Sequence, residues 1–185
     1  MVFHFCKTGA DSVPRLVVFT TTGYIFMDFS KHLETDRLIL QPPVHGDLLF
    51  IYRLLRNRYT RRFLGGPLSH RCAMARAQSY LSPPEGSGLW MAKARQGKRL
   101  GLVYLTPHSD GTDMEVSYQF HPAAWGRGYG QEAVSAVLHQ AALPRVIAET
   151  QQSNLRSVRL LEALGMHEID RLLRFGAQQV IYATA

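Results

Sequence analysis

The stretch over residues 117–133 constrains the fold of this chain more than any other part of its sequence. It begins within the segment Met114–Phe120, whose residues alternate between two faces and whose residue types predict a β-strand. Pro122 ends that strand, because proline has no amide hydrogen for a strand partner. Three glycines then occupy positions 126, 128 and 130, and an apolar helical pattern begins at Ala133. The sequence therefore predicts a strand, a glycine loop and a helix in direct succession.

A glycine loop in front of a helix can bind a phosphate group. Glycine lets the backbone approach an anion closely, and the unpaired amides of the first helical turn attract negative charge. One interpretation is the dinucleotide fingerprint G-x-G-x-x-G, and Glu149 lies near the distance at which that motif has an acidic residue. However, Gln131 replaces the third glycine, and residues 121–125 separate the strand from the first one. A tight turn with a glycine bulge is the purely structural alternative.

The composition is typical of one globular domain. The 185 residues are 46% apolar and 19% charged, which predicts a folded chain with a substantial core. The net charge of +7 suits an anionic ligand, although it would also suit RNA or a membrane surface. Cys6 and Cys72 show neither metal nor disulfide spacing, so we expect a cytoplasmic protein. No apolar run reaches the ~18 residues of a membrane span, so we expect none.

The rest of the chain supplies further helices and strands. Apolar spacing and turn residues predict four helices: one that begins at Asp47, one over about 70–81, one from Ala133 to Pro144, and one capped by Ser153 or Asn154 and ended by Gly165. They predict strands over 37–40, 89–94, 100–106, 114–120, 146–149, 168–175 and 178–182. The order β-α-α-β-β-β-α-β-α-β-β predicts a single α+β domain with a mixed sheet over residues 33–185. Residues 1–32 are expected to be an N-terminal extension. We expect this extension to lie upstream of a true start at Met27, and we favour this interpretation over the alternative of a signal peptide.

Three motifs, in this order along the chain, resemble those of the GNAT N-acetyltransferases. Residues 33–40, LETDRLIL, are similar to the first strand of the branch that acetylates the N-termini of ribosomal proteins. Residues 125–130, WGRGYG, resemble the acetyl-CoA loop R/Q-x-x-G-x-G/A, except that Trp125 takes the first place. Residues 154–166, NLRSVRLLEALGM, resemble the segment N-x-x-S followed by G-F/M. The resemblance extends over about 33–182.

This resemblance implies the transfer of an acetyl group from acetyl-CoA directly to an amine. It also implies a mostly antiparallel sheet that splays open at the acetyl-CoA site, with the pantetheine arm lying in the gap. The main chain at Phe120 and His121, and the side chain of Asn154, are then expected to bind the pantetheine arm. The pyrophosphate is expected on the loop formed by Trp125, Gly126, Arg127, Gly128, Tyr129 and Gly130.

Two residues are predicted to carry the proton transfers of such a reaction. An ammonium acceptor must lose a proton before it can attack, which requires a base. Glu115 lies on one face of its strand with Ser117 and Gln119 and matches a commonly acidic position of the family, so we expect it to act as the base through water. Leu161 replaces the tyrosine that often protonates the thiolate, and the resemblance transfers this role to Ser157. The alternatives are a salt-bridged Glu115 and plain helix capping by Asn154 and Ser157.

The expected partners are acetyl-CoA and an amine acceptor, either a small molecule or a protein N-terminus, with no membrane and no nucleic acid; a homodimer is left open. The eight histidines show no zinc spacing, so no metal is expected. A run of five arginines, Arg53, Arg56, Arg58, Arg61 and Arg62, is either a solvated surface or the rim of the acceptor site. A non-catalytic module that binds acyl-CoA or contacts RNA is the rival function.

Overall fold

The computed structural model describes residues 32–109 and 111–185 with their side chains, and the backbone of three strands further upstream. These strands are Phe3–Phe5 (β1), Arg15–Thr20 (β2) and Gly23–Asp28 (β3). They pair antiparallel in a sheet of their own. The remainder of the N-terminal extension predicted over residues 1–32 lies outside the described residues.

The main body is one eight-stranded sheet with helices on both faces. Its strands are Leu33–Glu34 (β4), Leu38–Gln41 (β5), Gly88–Ala94 (β6), Arg99–Pro107 (β7), Met114–Phe120 (β8), Val146–Gln151 (β9), His167–Arg174 (β10) and Ala177–Ala183 (β11). Its helices are Leu48–Arg56 (α1), His70–Ser79 (α2), Tyr129–Ala141 (α3) and Leu155–Ala163 (α4). The spatial order of the strands is β10-β11-β9-β8-β7-β6-β5-β4. Every pairing is antiparallel except that of β8 with β9, which confirms the predicted α+β domain with a mixed sheet.

Each face of the sheet has its own core, because residues alternate between the faces along every strand. On one face, Met114, Val116 and Phe120 of β8 pack with the apolar residues of α3 and α4. On the other face, Leu102 and Tyr104 of β7 pack with those of α1 and α2. The alternation of β8 therefore presents its polar residues to the α1–α2 side of the sheet.

The pairing of β8 with β9 stops almost as soon as it begins. The register contains only two pairs, Met114 with Val146 and Glu115 with Ile147. Beyond them β8 continues to Phe120 and β9 to Gln151 without pairing to each other, so the two strands diverge. The sheet is therefore open along the carboxyl-terminal halves of these neighbouring strands.

Asp47 fastens the α1–α2 hairpin to the sheet. Its carboxylate is fully buried at the start of α1, where it accepts a hydrogen bond from Arg99 Nε at 2.6 Å and lies 3.1 Å from Lys93 Nζ. Burial acts to raise the pKa of Asp47, but the hydrogen bonds from the Val44 amide, Arg99 and Lys93 outweigh it and lower that pKa. The charged form of Asp47 thus ties α1 to β6 and β7. Across residues 32–109 and 111–185, every helix is too short or too polar to cross a membrane.

Candidate active site

The opening between β8 and β9 exposes main-chain groups of β8. The His121 amide donates to the Leu100 carbonyl of β7 at 2.8 Å, so it points away from the opening. Since hydrogen-bonding direction alternates along an antiparallel strand, the amides of Tyr118 and Phe120 face the opposite edge. An extended ligand could pair with this edge as an additional strand would.

The Phe120 carbonyl already has two donors inside the protein. Trp125 Nε1 donates to it at 2.9 Å and Thr60 Oγ1 at 3.2 Å. Because a carbonyl oxygen has two lone pairs, these contacts satisfy it. Of the two main-chain positions predicted to bind a pantetheine arm, His121 therefore presents no free amide and Phe120 no free carbonyl. What remains on this edge at Phe120 is its amide.

The glycine loop has the geometry of an anion site. Gly128 has φ of 76° and is the N-cap of α3, a backbone conformation that suits glycine. The amides that follow, from Tyr129 to Gln131, belong to the first helical turn and have no partner within the helix. A Cβ added to Gly128 would lie 3.2 Å from Arg37 Nη2, so a side chain would enter the space in front of this turn. These features fit a bound phosphate.

Gly130 has a different role from the loop glycines before it. It lies inside α3, and a Cβ added there would come within 2.9 Å of Leu160 Cδ1 on α4. The absence of a side chain therefore permits the close packing of α3 on α4. Its predicted contribution to phosphate binding can come only from its backbone.

Arg37 connects the start of β5 to the glycine loop. Its Nη1 donates to the Arg127 carbonyl at 2.9 Å, and its Nε donates to Glu132 Oε2 at 2.6 Å. Thr35 Oγ1 donates to the same carboxylate at 2.5 Å. Burial acts to raise the pKa of Glu132, but the hydrogen bonds from Thr35 and Arg37 prevail and lower it. Arg37 thus neutralises an acidic residue of the first turn of α3, where it would otherwise repel an anion.

Trp125 holds a cation beside the loop, although it replaces the cationic or polar residue of the family motif. The guanidinium carbon of Arg156 lies 4.5 Å from the Trp125 ring centroid, in cation–π range. Arg156 is exposed on the first turn of α4. The loop therefore has a basic group at its entrance that comes from another element.

The hydroxyls of Tyr118 and Ser157 lie 2.8 Å apart across the opening. Tyr118 belongs to β8 and Ser157 to the first turn of α4. Burial raises the pKa of Tyr118 to about 12, against the opposing effect of its hydrogen bond with Ser157. Tyr118 is therefore protonated at neutral pH and can supply a proton to Ser157. Leu161, at the position of the expected tyrosine, is fully buried in the core.

Asn154 faces β9 with its side chain. Its Nδ2 donates to Thr150 Oγ1 at 3.3 Å, and its side chain makes no capping hydrogen bond although it is the N-cap residue of α4. The capping interpretation therefore does not account for the side chain. Its position beside the diverging strand is compatible with the predicted pantetheine contact.

Glu115 lies where β8 and β9 part, on the face covered by α1 and α2. It forms the last pair with β9, opposite Ile147. Ser117 stands opposite Tyr104 of β7, whose side chain packs against α1 and α2, so the alternation also directs Glu115 to that side. The predicted base thus occupies the inner end of the opening, on the opposite face of the sheet from Ser157.

The segment after α1 reaches over both edges of the opening. Thr60 binds the Phe120 carbonyl at the end of β8, and Gln151 Nε2 at the end of β9 donates to the Phe63 carbonyl at 3.2 Å. Of the five arginines near this segment, Arg61 alone is half-buried and the others are exposed. The segment therefore borders the opening on the side of the predicted acceptor.

A family model described as an acetyltransferase (GNAT) domain matches residues 37–167, which are more than half of the chain. The chain belongs to the GNAT acetyltransferase family. Enzymes of this family use acetyl-CoA and an amine acceptor. The matched region contains the opening, the glycine loop and α4.

Known proteins resemble the chain in sequence or in fold. It is 31% identical over 104 residues to the uncharacterized protein YkkB of Bacillus subtilis (strain 168), a match that covers 52% of this chain and 60% of that relative. A GNAT acetyltransferase from Bacillus anthracis has a similar fold, with a TM-score of 0.71 and 16% identity over 83% of this chain and 97% of its own. A spermidine N-acetyltransferase from Vibrio cholerae, solved with CoA and spermine, has a TM-score of 0.67 and 20% identity over 80% of this chain and 94% of its own. At these identities the solved structures support the fold alone.

Proposed function

We propose that this chain moves an acetyl group from acetyl-CoA directly to a primary amine, carried by a protein N-terminus, an amino acid or a small molecule. Residues 33–185 form the catalytic domain in this proposal, and the cytoplasm is its location. The divergence of β8 and β9 beside the glycine loop is the observation that carries it. The opening offers main-chain amides to the pantetheine arm, and the first turn of α3 offers amides to the pyrophosphate.

Cofactor binding rests on residues from four elements. The backbone of residues 126–130 holds the pyrophosphate, with Arg156 and Arg37 as the nearby cations. The Phe120 amide and Asn154 contact the pantetheine arm. Trp125 acts indirectly, because its indole binds the Phe120 carbonyl and its ring holds Arg156.

In this proposal the ammonium loses its proton on one face of the sheet, and the departing sulfur gains a proton on the other face. Acetyl-CoA supplies the thioester, whose carbonyl carbon the amine attacks and whose C–S bond then breaks. Glu115 removes a proton from the ammonium through water, because the attacking nitrogen needs its lone pair. Ser157 gives its hydroxyl proton to the departing sulfur and takes the Tyr118 proton in its place. Tyr118 is protonated at neutral pH, and it recovers its proton from solvent.

Release of free CoA in the presence of amines tests this function. The protein is mixed with acetyl-CoA and a panel of amines, namely amino acids, short peptides, polyamines and aminoglycosides. We expect CoA release that depends on the amine, together with an acetylated product identified by mass spectrometry. Binding of acetyl-CoA without turnover on any amine would favour a non-catalytic module instead.

A further inference from the structure

The α1–α2 hairpin carries a concentrated positive charge. Residues 48–84 contain seven arginines and no Asp, Glu or Lys, so their charge of +7 equals the net charge of the whole chain. The seven are Arg53, Arg56, Arg58, Arg61, Arg62, Arg71 and Arg76. The hairpin covers the face of the sheet on which Glu115 lies. An acceptor that approaches Glu115 from this side therefore meets a strongly positive surface.

The side chain of Arg61 points inward from this positively charged surface. Its Nε donates to the Gly66 carbonyl at 2.7 Å and its Nη2 donates to the Leu64 carbonyl, which fixes the guanidinium in place. Burial lowers the pKa of Arg61, and the charge of Arg76 acts in the same direction. Arg61 remains a cation at neutral pH, since an arginine begins from a very high pKa, and Arg76 lies exposed on α2. Neither forms a salt bridge with a carboxylate anywhere in residues 32–109 and 111–185.

Tyr104 places a buried hydroxyl beside these two cations. Its side chain is 9% exposed, and its ring packs edge-on against Tyr80, with ring centroids 5.2 Å apart. Tyr80 follows Arg76 by one helical turn, and the charges of Arg61 and Arg76 both act on the Tyr104 hydroxyl. The Tyr104 oxygen is sealed from solvent, and its one neighbouring polar partner within the part of the chain that the structure describes is Tyr80, with which it makes no well-formed hydrogen bond. We call Arg61, Arg76, Tyr80 and Tyr104 the arginine–tyrosine cluster.

Burial raises the pKa of Tyr104 well above its usual value, so its hydroxyl remains a hydrogen-bond donor. A buried donor without a well-formed hydrogen bond is costly, and so is the partly desolvated cation of Arg61 without an anion. A carboxylate would satisfy both, because it accepts hydrogen bonds and carries negative charge. The cluster therefore has the chemistry of a carboxylate site.

Gln119 adds a complementary group nearer the opening. Its Oε1 is buried and has no hydrogen-bond partner among the described residues. Gln119 stands opposite Leu102, two residues along β8 from the Ser117–Tyr104 pair, so its Cα lies about 7–8 Å diagonally from that of Tyr104. An amide oxygen accepts a hydrogen bond from N–H, which suits an amine rather than a carboxylate. The Tyr104 hydroxyl and the Gln119 amide oxygen thus match the carboxylate end and the amine end of one small acceptor.

We propose that the acceptor carries a carboxylate close to its reactive amine, and that the arginine–tyrosine cluster binds this carboxylate. The inference rests on the proposed acetyl transfer and specifies its substrate class. The carboxylate comes either from a free α-amino acid or from an acidic side chain at the N-terminus of a peptide. The same site disfavours polyamines, whose positive charge the hairpin repels.

Matched acceptors test the inference on the unaltered protein. The first series is leucine, leucinamide and isoamylamine, which differ in the carboxylate. The second is the peptide amides Asp-Ala-Ala and Asn-Ala-Ala, which differ in the charge of the first side chain. We expect kcat/KM to be about 10- to 100-fold higher for the acidic member of at least one series, the scale of a charge-assisted hydrogen bond. Preference in the first series assigns a free amino acid, and preference in the second assigns a peptide N-terminus.

Two substitutions then locate the preference. Arg76→Gln removes one cation without losing a described hydrogen bond of that side chain, whereas Arg61→Gln also loses the contacts to Leu64 and Gly66. Each variant is expected to reduce the preference for the acidic acceptor to near unity, and in Arg76→Gln kcat/KM for the neutral acceptor is expected to stay within about twofold. Arg71→Gln removes an equally exposed arginine of the same helix that lies outside the cluster, so it is the matched control and is expected to retain the preference.

The outcomes separate this inference from the function on which it rests. Amine acetylation with equal kcat/KM for acidic and neutral acceptors would overturn the carboxylate site and leave the acetyltransferase intact. A preference that survives in both Arg61→Gln and Arg76→Gln would also overturn it. Acetyl transfer to polyamines or aminoglycosides but to no member of either series would overturn the inference alone, whereas absence of transfer to every amine of the wider panel would overturn the proposed function, and the inference with it.

Discussion

Tyr118 Oη and Ser157 Oγ lie 2.8 Å apart and join β8 to α4 across the open part of the sheet. Burial raises the pKa of Tyr118 to about 12, and its hydroxyl carries a proton at neutral pH. The pair can therefore pass a proton toward a leaving group near Ser157. In the proposed mechanism, a tyrosine on the strand takes part in the proton transfer for which the family often uses a tyrosine on the helix, where this chain has Leu161.

Substitution of either hydroxyl is expected to slow turnover without weakening acetyl-CoA binding. Ser157→Ala and Tyr118→Phe should each lower kcat by about 100-fold, the scale of general acid catalysis. Because the two residues act in series, the double variant should be little slower than the slower single variant. Steady-state kinetics and calorimetry on the three variants check this. Multiplicative losses in the double variant would show that the hydroxyls act independently.

Gly128→Val is expected to abolish acetyl-CoA binding. The new side chain would enter the space before the first turn of α3, where an added Cβ already lies 3.2 Å from Arg37 Nη2. Gly97→Val is the matched control, since Gly97 has a similar φ of 81° but no atom within 4 Å of an added Cβ. Both variants carry the same type of backbone strain, and only the first should lose binding by calorimetry. Normal affinity in folded Gly128→Val would remove the phosphate role of this loop.

Glu115→Gln is expected to lower kcat by about 100-fold and to remove the acidic limb of the pH–rate profile, because the glutamine cannot accept a proton. Acetyl-CoA affinity should not change. Glu34→Gln is the control, since Glu34 lies on β4 at the far edge of the sheet and pairs with Arg95. An unaltered rate and pH profile in Glu115→Gln would assign this carboxylate a structural role.

The fold could be predicted from the sequence because its signals are local. Alternation together with Pro122 gave the bounds of Met114–Phe120 correctly. Gly165 ended α4 as expected, with its amide bonded to the Glu162 carbonyl. Leu33–Glu34 was not predicted as a strand, since two residues are too few to show a period. The predicted cofactor and catalytic residues stay predictions.

The site could be predicted only in part, because several of its contacts join distant residues. Arg37 binds Glu132 across a separation of 95 residues, and no sequence signal distinguishes Arg37 from the other arginines. The alternation of residues along Met114–Phe120 assigned Tyr118 to the apolar face of the strand, and this is correct for its ring. The alternation gave no indication that the Tyr118 hydroxyl contacts Ser157. Trp125 was expected in the pyrophosphate loop, but nothing in the sequence indicated that its indole binds the Phe120 carbonyl or that its ring lies against Arg156.

Asp47→Asn is expected to destabilise the fold by about 3 kcal/mol at neutral pH, because it leaves Lys93 and Arg99 without their buried partner. The folded-state pKa of Asp47 is lowered, so its charged form stabilises the protein above the unfolded-state pKa of about 4. That stabilisation is lost as the pH falls through the folded-state pKa. The difference in Tm between the two proteins should therefore shrink on acidification, and a difference independent of pH would contradict the account.

Release of CoA in the presence and absence of amines is the most direct test of the central claim. The account predicts that free CoA and acetylated amine appear in equal amounts, and that release stops when the amine is omitted. It further predicts that Gly128→Val abolishes both while Gly97→Val retains them. Tight acetyl-CoA binding without amine-dependent release, across acidic, neutral and basic amines, would contradict the account.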